Sequence, residues 1–252
     1  LEPMSYPEAG KALRDAVGKS SGTTKVGIIH SLGVRRDAKG VEVLIGLLKD
    51  RDAQVAGAAA WSIGRTATEE AVRALEEFRG VAAGELKAVA ADASLVVAEE
   101  LLRRGKGQEA AKIYEELQAA KWARHVRMGA FVGLLAAQPD QAAQRLVKAF
   151  QGDDLALRGI AIDKVATLKA YGVGERFAAQ LPNLPAETQV VLIGALTRRG
   201  EPSVRFAIAK AAWSADGRVR VAALKALGEL GDVSSVKLLC TAVASGKSDE
   251  EK

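Results

Sequence analysis

The sequence has few of the residues from which metal and catalytic sites are commonly built. Its 252 residues include one cysteine, Cys240, and two histidines, His30 and His125. A single cysteine excludes an intrachain disulfide. The two histidines are far apart in the sequence, whereas a zinc site needs three or four ligands. We therefore expect no metal site, no bound cofactor and no catalytic cluster.

Long apolar segments, prolines and aromatic residues are also scarce. No apolar segment approaches the roughly 20 residues that cross a bilayer, so no membrane insertion is expected. The chain has 6 prolines and only 4% aromatic residues, although 48% of its residues are hydrophobic. Ala, Leu and Val supply most of that fraction, and Ala and Leu are strong helix formers. This composition predicts an all-α chain.

The charge of the chain is slightly basic, and the basic residues are dispersed. There are 36 basic and 31 acidic residues, which give a net charge of +5. A dedicated nucleic-acid surface usually shows a concentrated basic stripe. No cluster of five or more Lys or Arg residues occurs. We interpret the excess as a solvated surface and keep nucleic-acid binding as an alternative.

A repeat of 31 residues organises the sequence. The copies that share this register begin at Thr24, Val55, Val126, Leu157, Thr188 and Val219. A seventh copy is placed near Ser94, after an insertion of about eight residues. Apolar or small residues recur within each copy at the spacing of one face of an α-helix, and a second apolar helix flanks each. The pattern predicts about seven helix pairs joined by short turns.

Residues between the apolar segments indicate where the helices begin and end. The side chains expected to cap helix N-termini are those of Ser21, Asp52, Asp154 and Asp216. The glycines expected at helix C-termini, where a left-handed residue is common, are Gly33, Gly64, Gly200 and Gly231. The prolines expected in first turns are Pro139 and Pro202.

The motif Asp-x-x-Val-Arg-x-x-Ala-x-x-Ala-Leu-Gly, complete at residues 216–228, resembles the HEAT repeat. It is most similar to the short bacterial type, also called the PBS-lyase repeat. The resemblance covers roughly residues 5–245, although Ala56 and Gln189 replace the arginine in two copies. It implies an all-α fold, a right-handed α-α superhelix of the HEAT solenoid type.

We therefore predict a single HEAT-repeat array over residues 1–252. Residues 1–23 form an N-terminal half-repeat or cap, residues 24–244 form the repeats, and residues 245–252 form a flexible tail. The segment near 94–120 resembles a TPR helix pair and is interpreted as a divergent repeat. Since the chain does not begin with Met and its first helix lacks a preceding partner, we expect it to be part of a longer protein.

In the HEAT family, the helices that carry Val-Arg line the concave face of the stack. The candidate groove residues, which occupy the second and seventh positions of the copies, are Lys25, His30, Trp61, Arg127, Arg158, Asp163, Gln189, Arg220 and Lys225. Trp61 is the most suggestive, because exposed tryptophan is enriched at binding hot spots. The alternative is that Trp61 packs against a neighbouring repeat.

The second-position cations and two tryptophans outside the candidate groove have further possible roles. The cations at the second position either bind phosphate or acidic peptide, or pair with turn acids such as Asp154 and Asp216. Trp122 and Trp213 lie in or near turns, and we expect them to fill gaps between helices.

The favoured function is a non-enzymatic protein–protein interaction scaffold, which binds a protein or peptide partner in its concave groove. The first alternative is a HEAT-like DNA-binding protein or alkylpurine DNA glycosylase, for which Trp61 and Asp163 would supply the aromatic and acidic groups. These two residues lie more than three repeats apart, which weakens this alternative. The second alternative is a protein like the phycobilin lyases, which share this repeat type.

Overall fold

The computed structural model describes residues 4, 6–168 and 172–245. Helices account for 80% of this part of the chain, and it contains no strand. The predicted all-α HEAT-type solenoid fold is confirmed. The chain divides into two compact units, Leu1–Gln138 and Pro139–Lys252.

The first unit contains eight α-helices among its described residues. They are α1 (Pro7–Val17), α2 (Gly22–Val34), α3 (Val41–Leu47), α4 (Ala53–Thr66), α5 (Glu69–Val81), α6 (Glu85–Arg103), α7 (Gly107–Leu117) and α8 (Arg124–Ala137). A 3-10 turn at Ala38–Gly40 precedes α3. Helices α2, α4, α6 and α8 pack side by side, and α1, α3, α5 and α7 each pack against the helix that follows. The unit is therefore a stack of helix pairs in two layers.

The second unit follows the same plan. Its helices are α9 (Pro139–Gln151), α10 (Leu155–Thr167), α11 (Val173–Ala178), α12 (Ala186–Arg199), α13 (Arg205–Ala211), α14 (Gly217–Leu230) and α15 (Val233–Ser245). Two 3-10 turns, Leu181–Asn183 and Pro202–Val204, flank α12. Helices α10, α12 and α14 pack side by side, whereas α9, α11, α13 and α15 pack against them in a second layer.

The apolar positions of the repeat form the core. In α8, Val126, Ala130 and Leu134 are all 0% exposed. Their spacing of four residues brings them onto one face of the helix, which is the face that the sequence pattern predicts. The side-chain register of the repeat is thus confirmed in this copy.

Two glycines expected at helix ends, Gly33 and Gly64, lie within the last turns of α2 and α4 and do not end their helices in the left-handed conformation. A Cβ atom on Gly33 of α2 would lie 2.6 Å from the Ser62 hydroxyl oxygen of α4. A Cβ atom on Gly64 of α4 would lie 2.8 Å from the Ala93 carbonyl oxygen of α6. These glycines therefore allow neighbouring helices to approach closely, and the left-handed conformation expected at both positions is not observed.

The other predicted helix ends are mostly confirmed. Gly200 ends α12 in the left-handed conformation, with φ of 74°, whereas Gly231 ends α14 with φ of −62°. The backbone of Gly231 is therefore extended, and the left-handed prediction fails there. Pro139 begins α9, and Pro202 begins a 3-10 turn.

Aspartates cap the helices where the sequence predicts them. The carboxylates of Asp52, Asp154 and Asp216 accept hydrogen bonds from backbone N–H groups in the first turns of α4, α10 and α14. Such bonds satisfy donors that have no partner within the helix. Ser21 occupies the N-cap of α2, but its side chain makes no capping bond in the described structure.

The divergent copy begins earlier in the sequence than predicted, at the start of α6. The copy placed near Ser94 is the second half of a 19-residue helix that begins at Glu85. Ser62 packs against Gly33, and Ala93, which is 31 residues later, packs against Gly64. The repeat register therefore continues without interruption into α6. The extra residues extend the C-terminal end of this helix and do not precede it.

The extension of α6 carries a buried ion cluster around Glu100, which we call the Glu100 cluster. Glu100 is 4% exposed, and its carboxylate lies 2.6 Å from Arg103, 3.1 Å from Arg104 and 3.3 Å from Arg36. Arg104 also donates hydrogen bonds to the carbonyl oxygens of Thr66 and Ala67. The hydrogen bond from Arg103, together with weaker contributions from Arg104 and Arg36, lowers the pKa of Glu100 to about 2. The cluster joins the C-terminal ends of α2, α4 and α6.

The predicted flexible tail at 245–252 lies, apart from Ser245, outside the described residues. Helix α1, in the segment predicted as a half-repeat or cap, packs against α2.

Candidate functional site

The seventh position is accessible to solvent in the six copies other than the divergent one near Ser94. In the first unit, His30 and Val132 are exposed and Trp61 is half-buried. In the second unit, Asp163 and Lys225 are exposed and Gly194 is half-buried. None of the six belongs to the core, so this position gives each unit an accessible side on its layer of even-numbered helices.

The surface of α2 and α4 around Trp61 is the most distinctive part of this side, and we call it the Trp61 face. The ring centroids of Trp61 and His30 lie 5.1 Å apart. The Arg65 guanidinium lies 5.6 Å from the Trp61 ring centroid, close enough for a cation–π contact. Trp61 thus packs against a side chain of the neighbouring helix and still exposes part of its ring.

Lys25, at the second position of the first copy, bonds to the turn of the next repeat. Its ammonium lies 2.8 Å from the Asp50 carboxylate, in the turn before α4. The hydrogen bond from Lys25 is the main reason that the pKa of Asp50 lies below its ordinary value. Lys25 therefore links two successive repeats.

Three other polar side chains at the second position bond to the turn before their own helix. The side-chain donors and their carbonyl acceptors are Arg158 to Gly152 at 2.8 Å, Gln189 to Leu184 at 2.8 Å, and Arg220 to Ser214 and Ala215 at 2.9 Å. Arg127 is half-buried. At Arg158, Gln189 and Arg220 these bonds hold the turn against the helix, which is a structural use of the side chain.

A second accessible surface lies in the second unit, on the layer of odd-numbered helices. It is a groove of about 640 Å³ between α11, with its following 3-10 turn, and α13, and we call it the outer groove. One wall consists mainly of small and apolar residues: Ala178, Ala179, Leu181 and Pro182. The opposite wall carries Phe206 and Trp213, which are 72% and 68% exposed, with Lys210 between them in the sequence.

The charged groups of the outer groove differ in their partners. The Lys210 ammonium lies 4.5 Å from the Phe206 ring centroid, and no carboxylate of the described residues is within ion-pair distance of it. Glu175 lies on the other wall. A hydrogen bond from Ser203 and, more weakly, the charge of Arg199 hold the pKa of Glu175 below its ordinary value. The Glu175 carboxylate is therefore stabilised by neighbouring groups, whereas no carboxylate among the described residues balances the charge of Lys210.

The predicted groove residues, apart from Gln189, do not line the outer groove. Trp122 is 6% exposed and donates a hydrogen bond to the Glu116 carbonyl, so its predicted gap-filling position is confirmed. The same prediction is wrong for Trp213, which lies at the groove. Phe206 falls outside the apolar stripe of its helix. An aromatic residue off the stripe, in a chain with so few aromatics, is the signal that could have located this surface.

The described residues contain no group of three or more His, Cys, Asp or Glu side chains arranged to hold a metal ion. In the same part of the chain, no helix is both long and apolar enough to span a bilayer. Trp61 and Asp163, the pair considered for a glycosylase, lie in different units.

Comparison with family models assigns repeats in both units. Residues 10–94 match the model of HEAT repeats, and residues 219–245 match that of the PBS lyase HEAT-like repeat. No curated protein matches the chain at a significant level.

Several solved structures are similar in fold at low sequence identity. Human deoxyhypusine hydroxylase is 19% identical, with 91% of this chain and 86% of that chain covered and a TM-score of 0.41. A chain of the complex of CpcE and CpcF of phycocyanin lyase from Nostoc sp. PCC7120 is 18% identical, with coverages of 89% and 82% and a TM-score of 0.41. An engineered protein is 20% identical, with coverages of 88% and 96% and a TM-score of 0.35. None of the proposals below rests on these likenesses.

Proposed function

The chain is a HEAT-repeat protein, and from this premise we propose that it is a non-enzymatic scaffold that binds a protein partner on the Trp61 face. Stacked helix pairs provide extended surfaces that repeat proteins use for binding. The fold thus supports a scaffold in general, and the side chains of α2 and α4 support this particular surface.

The partial exposure of Trp61 carries the proposal. Around it on α4, Ala58, Ala59 and Ile63 are almost completely buried. Trp61 alone combines a large apolar ring with accessible area, and His30 and Arg65 lie beside it. Tryptophan and arginine are enriched among residues that dominate binding energy at protein interfaces. The packing of the ring against His30 also reduces the conformational entropy that it would lose on binding.

The second-position side chains favour a protein partner over nucleic acid. Lys25 pairs with the Asp50 carboxylate, and Arg158 and Arg220 donate hydrogen bonds to turn carbonyls, so donor groups of all three side chains are already engaged. Phosphate contacts would have to compete with these bonds.

Selection from a displayed library of random peptides tests the proposal. The wild-type chain is immobilised, and the enriched peptides are then titrated against wild type, Trp61→Ala and Leu155→Ala. The last variant is the control, because it removes an exposed apolar side chain that lies outside both the Trp61 face and the outer groove. We expect Trp61→Ala to weaken binding by about thirtyfold, as for a hot-spot residue, and Leu155→Ala to change binding of these peptides little. Equal affinity for wild type and Trp61→Ala would refute the proposed surface.

Titration of labelled duplex DNA at several salt concentrations tests the nucleic-acid alternative. At physiological salt we expect dissociation constants no tighter than about 1 µM, within the range of non-specific binding. Tight binding with a steep salt dependence, lost in the triple variant Arg127→Ala/Arg158→Ala/Arg220→Ala, would replace the protein-binding proposal with the nucleic-acid one.

A further inference from the structure

We propose that the outer groove of the second unit is a separate docking site, and that its occupant is an acidic amphipathic segment of a partner protein. The inference extends the scaffold function to a second surface and does not depend on the Trp61 face. Within the second unit, most residues that line the groove belong to the layer of α11 and α13, although Gln189 on α12, a predicted groove residue, also lines it.

The apolar character of the groove calls for an apolar occupant. Phe206 and Trp213 expose most of their surfaces, and both line the same groove. Ala207 and Ala211 lie between them in the sequence and also line it, so small side chains leave space beside the two rings. A volume of about 640 Å³ accommodates several large side chains. Aromatic anchors of this kind gain most from burial beneath a partner.

The charges of the groove select an acidic occupant. Glu175 already receives a hydrogen bond from Ser203 and lies near Arg199. Lys210 has only the Phe206 ring as a partner among the described residues. An incoming carboxylate beside an apolar anchor would therefore find one unbalanced cation, whereas an incoming cation would have to compete with Ser203 and Arg199 for Glu175.

The net charge favours a different protein over a second copy of this chain. Two copies that each carry a charge of +5 repel each other, and an acidic partner is attracted. The favoured occupant is thus a segment with large apolar residues on one side and Glu or Asp next to them, as in an amphipathic helix laid into a groove.

The test uses a library of helix-forming peptides of about 15 residues, long enough for some helicity in isolation. The positions on one face vary among Leu, Ile, Met, Phe and Trp, and one flanking position varies among Glu, Gln and Lys. The library is selected on the wild-type chain and on Lys210→Glu, Trp213→Ala and Trp61→Ala. Thermal unfolding of each variant checks that it is folded, and since Lys210 and Trp213 are exposed we expect little change.

On wild type we expect Glu to be enriched over Lys by about threefold to tenfold at the flanking position. On Lys210→Glu the preference should reverse to Lys, which a merely apolar groove would not produce. Trp213→Ala should lose most binders, and the peptides lost there should still bind Trp61→Ala, whether or not the Trp61 face also binds a partner.

Three outcomes would overturn the inference. They are the absence of binders on wild type, the same charge preference on wild type and Lys210→Glu, and sedimentation that shows a dimer of this chain disrupted by Trp213→Ala. The last outcome would assign the groove to self-association.

Discussion

Replacing Glu100 by Gln is expected to lower the free energy of unfolding of the first unit by about 2 kcal/mol near neutral pH. The pKa of Glu100 lies at about 2 in the fold, against 4.5 for an unperturbed glutamate. This difference corresponds to about 3 kcal/mol. Arg36, Arg103 and Arg104 are each about a third or more exposed, so solvent screening reduces the expected loss to the lower figure.

The stability lost in Glu100→Gln should become smaller as the pH falls. A carboxyl whose pKa is lowered by folding stabilises the protein above its unfolded pKa and loses this contribution as it becomes protonated. For Glu100 the contribution is complete above about pH 5 and declines as the pH falls from about 4.5 towards about 2. Since Gln has no charge at any pH, the difference between wild type and Glu100→Gln should narrow over this interval.

Urea unfolding at several pH values measures the effect. In a Trp213→Phe background, the remaining tryptophans, Trp61 and Trp122, both report on the first unit. We expect the midpoint to fall by about 1 M near neutral pH, given typical slopes for domains of this size. Glu99→Gln, an exposed neighbour on the same helix, is the control. Equal midpoints for Glu99→Gln and Glu100→Gln, or a difference that does not narrow in acid, would refute the reasoning.

Three further substitutions test the packing and capping of the first unit, each by the change in its unfolding midpoint. Gly64→Ala should destabilise it by about 1–3 kcal/mol because the new Cβ would meet the Ala93 carbonyl. Gly46→Ala, whose new Cβ would meet nothing within 4 Å, should be neutral or stabilising. Equal effects of the two substitutions would contradict the close approach of the helices. Asp52→Ala should cost about 1 kcal/mol through loss of its cap, with Asp52→Asn as the control that keeps it. Tyr114→Phe should cost less than about 1 kcal/mol, because the buried hydroxyl has no hydrogen-bond partner in the described structure; a larger loss would show that the hydroxyl is bonded.

Local sequence chemistry was sufficient to predict the helices and most of their ends. The repeat spacing predicts the buried face of α8, and the aspartates before three of the copies predict the caps of α4, α10 and α14. Both signals depend on residues within one or two turns of each other, so a single sequence contains them in full.

Features that depend on contact between helices could not be predicted in this way. The residues around Gly33 and Gly64 do not show whether each glycine ends a helix or allows a neighbouring helix to approach. The atoms that the two glycines approach lie 29 residues away in the sequence in each case. Glu100 could not be distinguished from the exposed Glu99 beside it without the positions of Arg36 and Arg104. The outer groove is lined from both α11 and α13, and no residue within either segment indicates how closely the two helices approach.

The Glu100 cluster also limits how freely the first unit can be rearranged during evolution or design. Repeats in such proteins normally contact only their nearest neighbours, so whole units can be duplicated or deleted with little effect on the rest. Arg36 follows α2 and Glu100 belongs to α6, so their ion pair spans the complete helix pair of α3 and α4. Deletion or duplication of that pair would move the two side chains out of bonding distance of each other. The first three helix pairs are therefore expected to be inherited together, as one indivisible module.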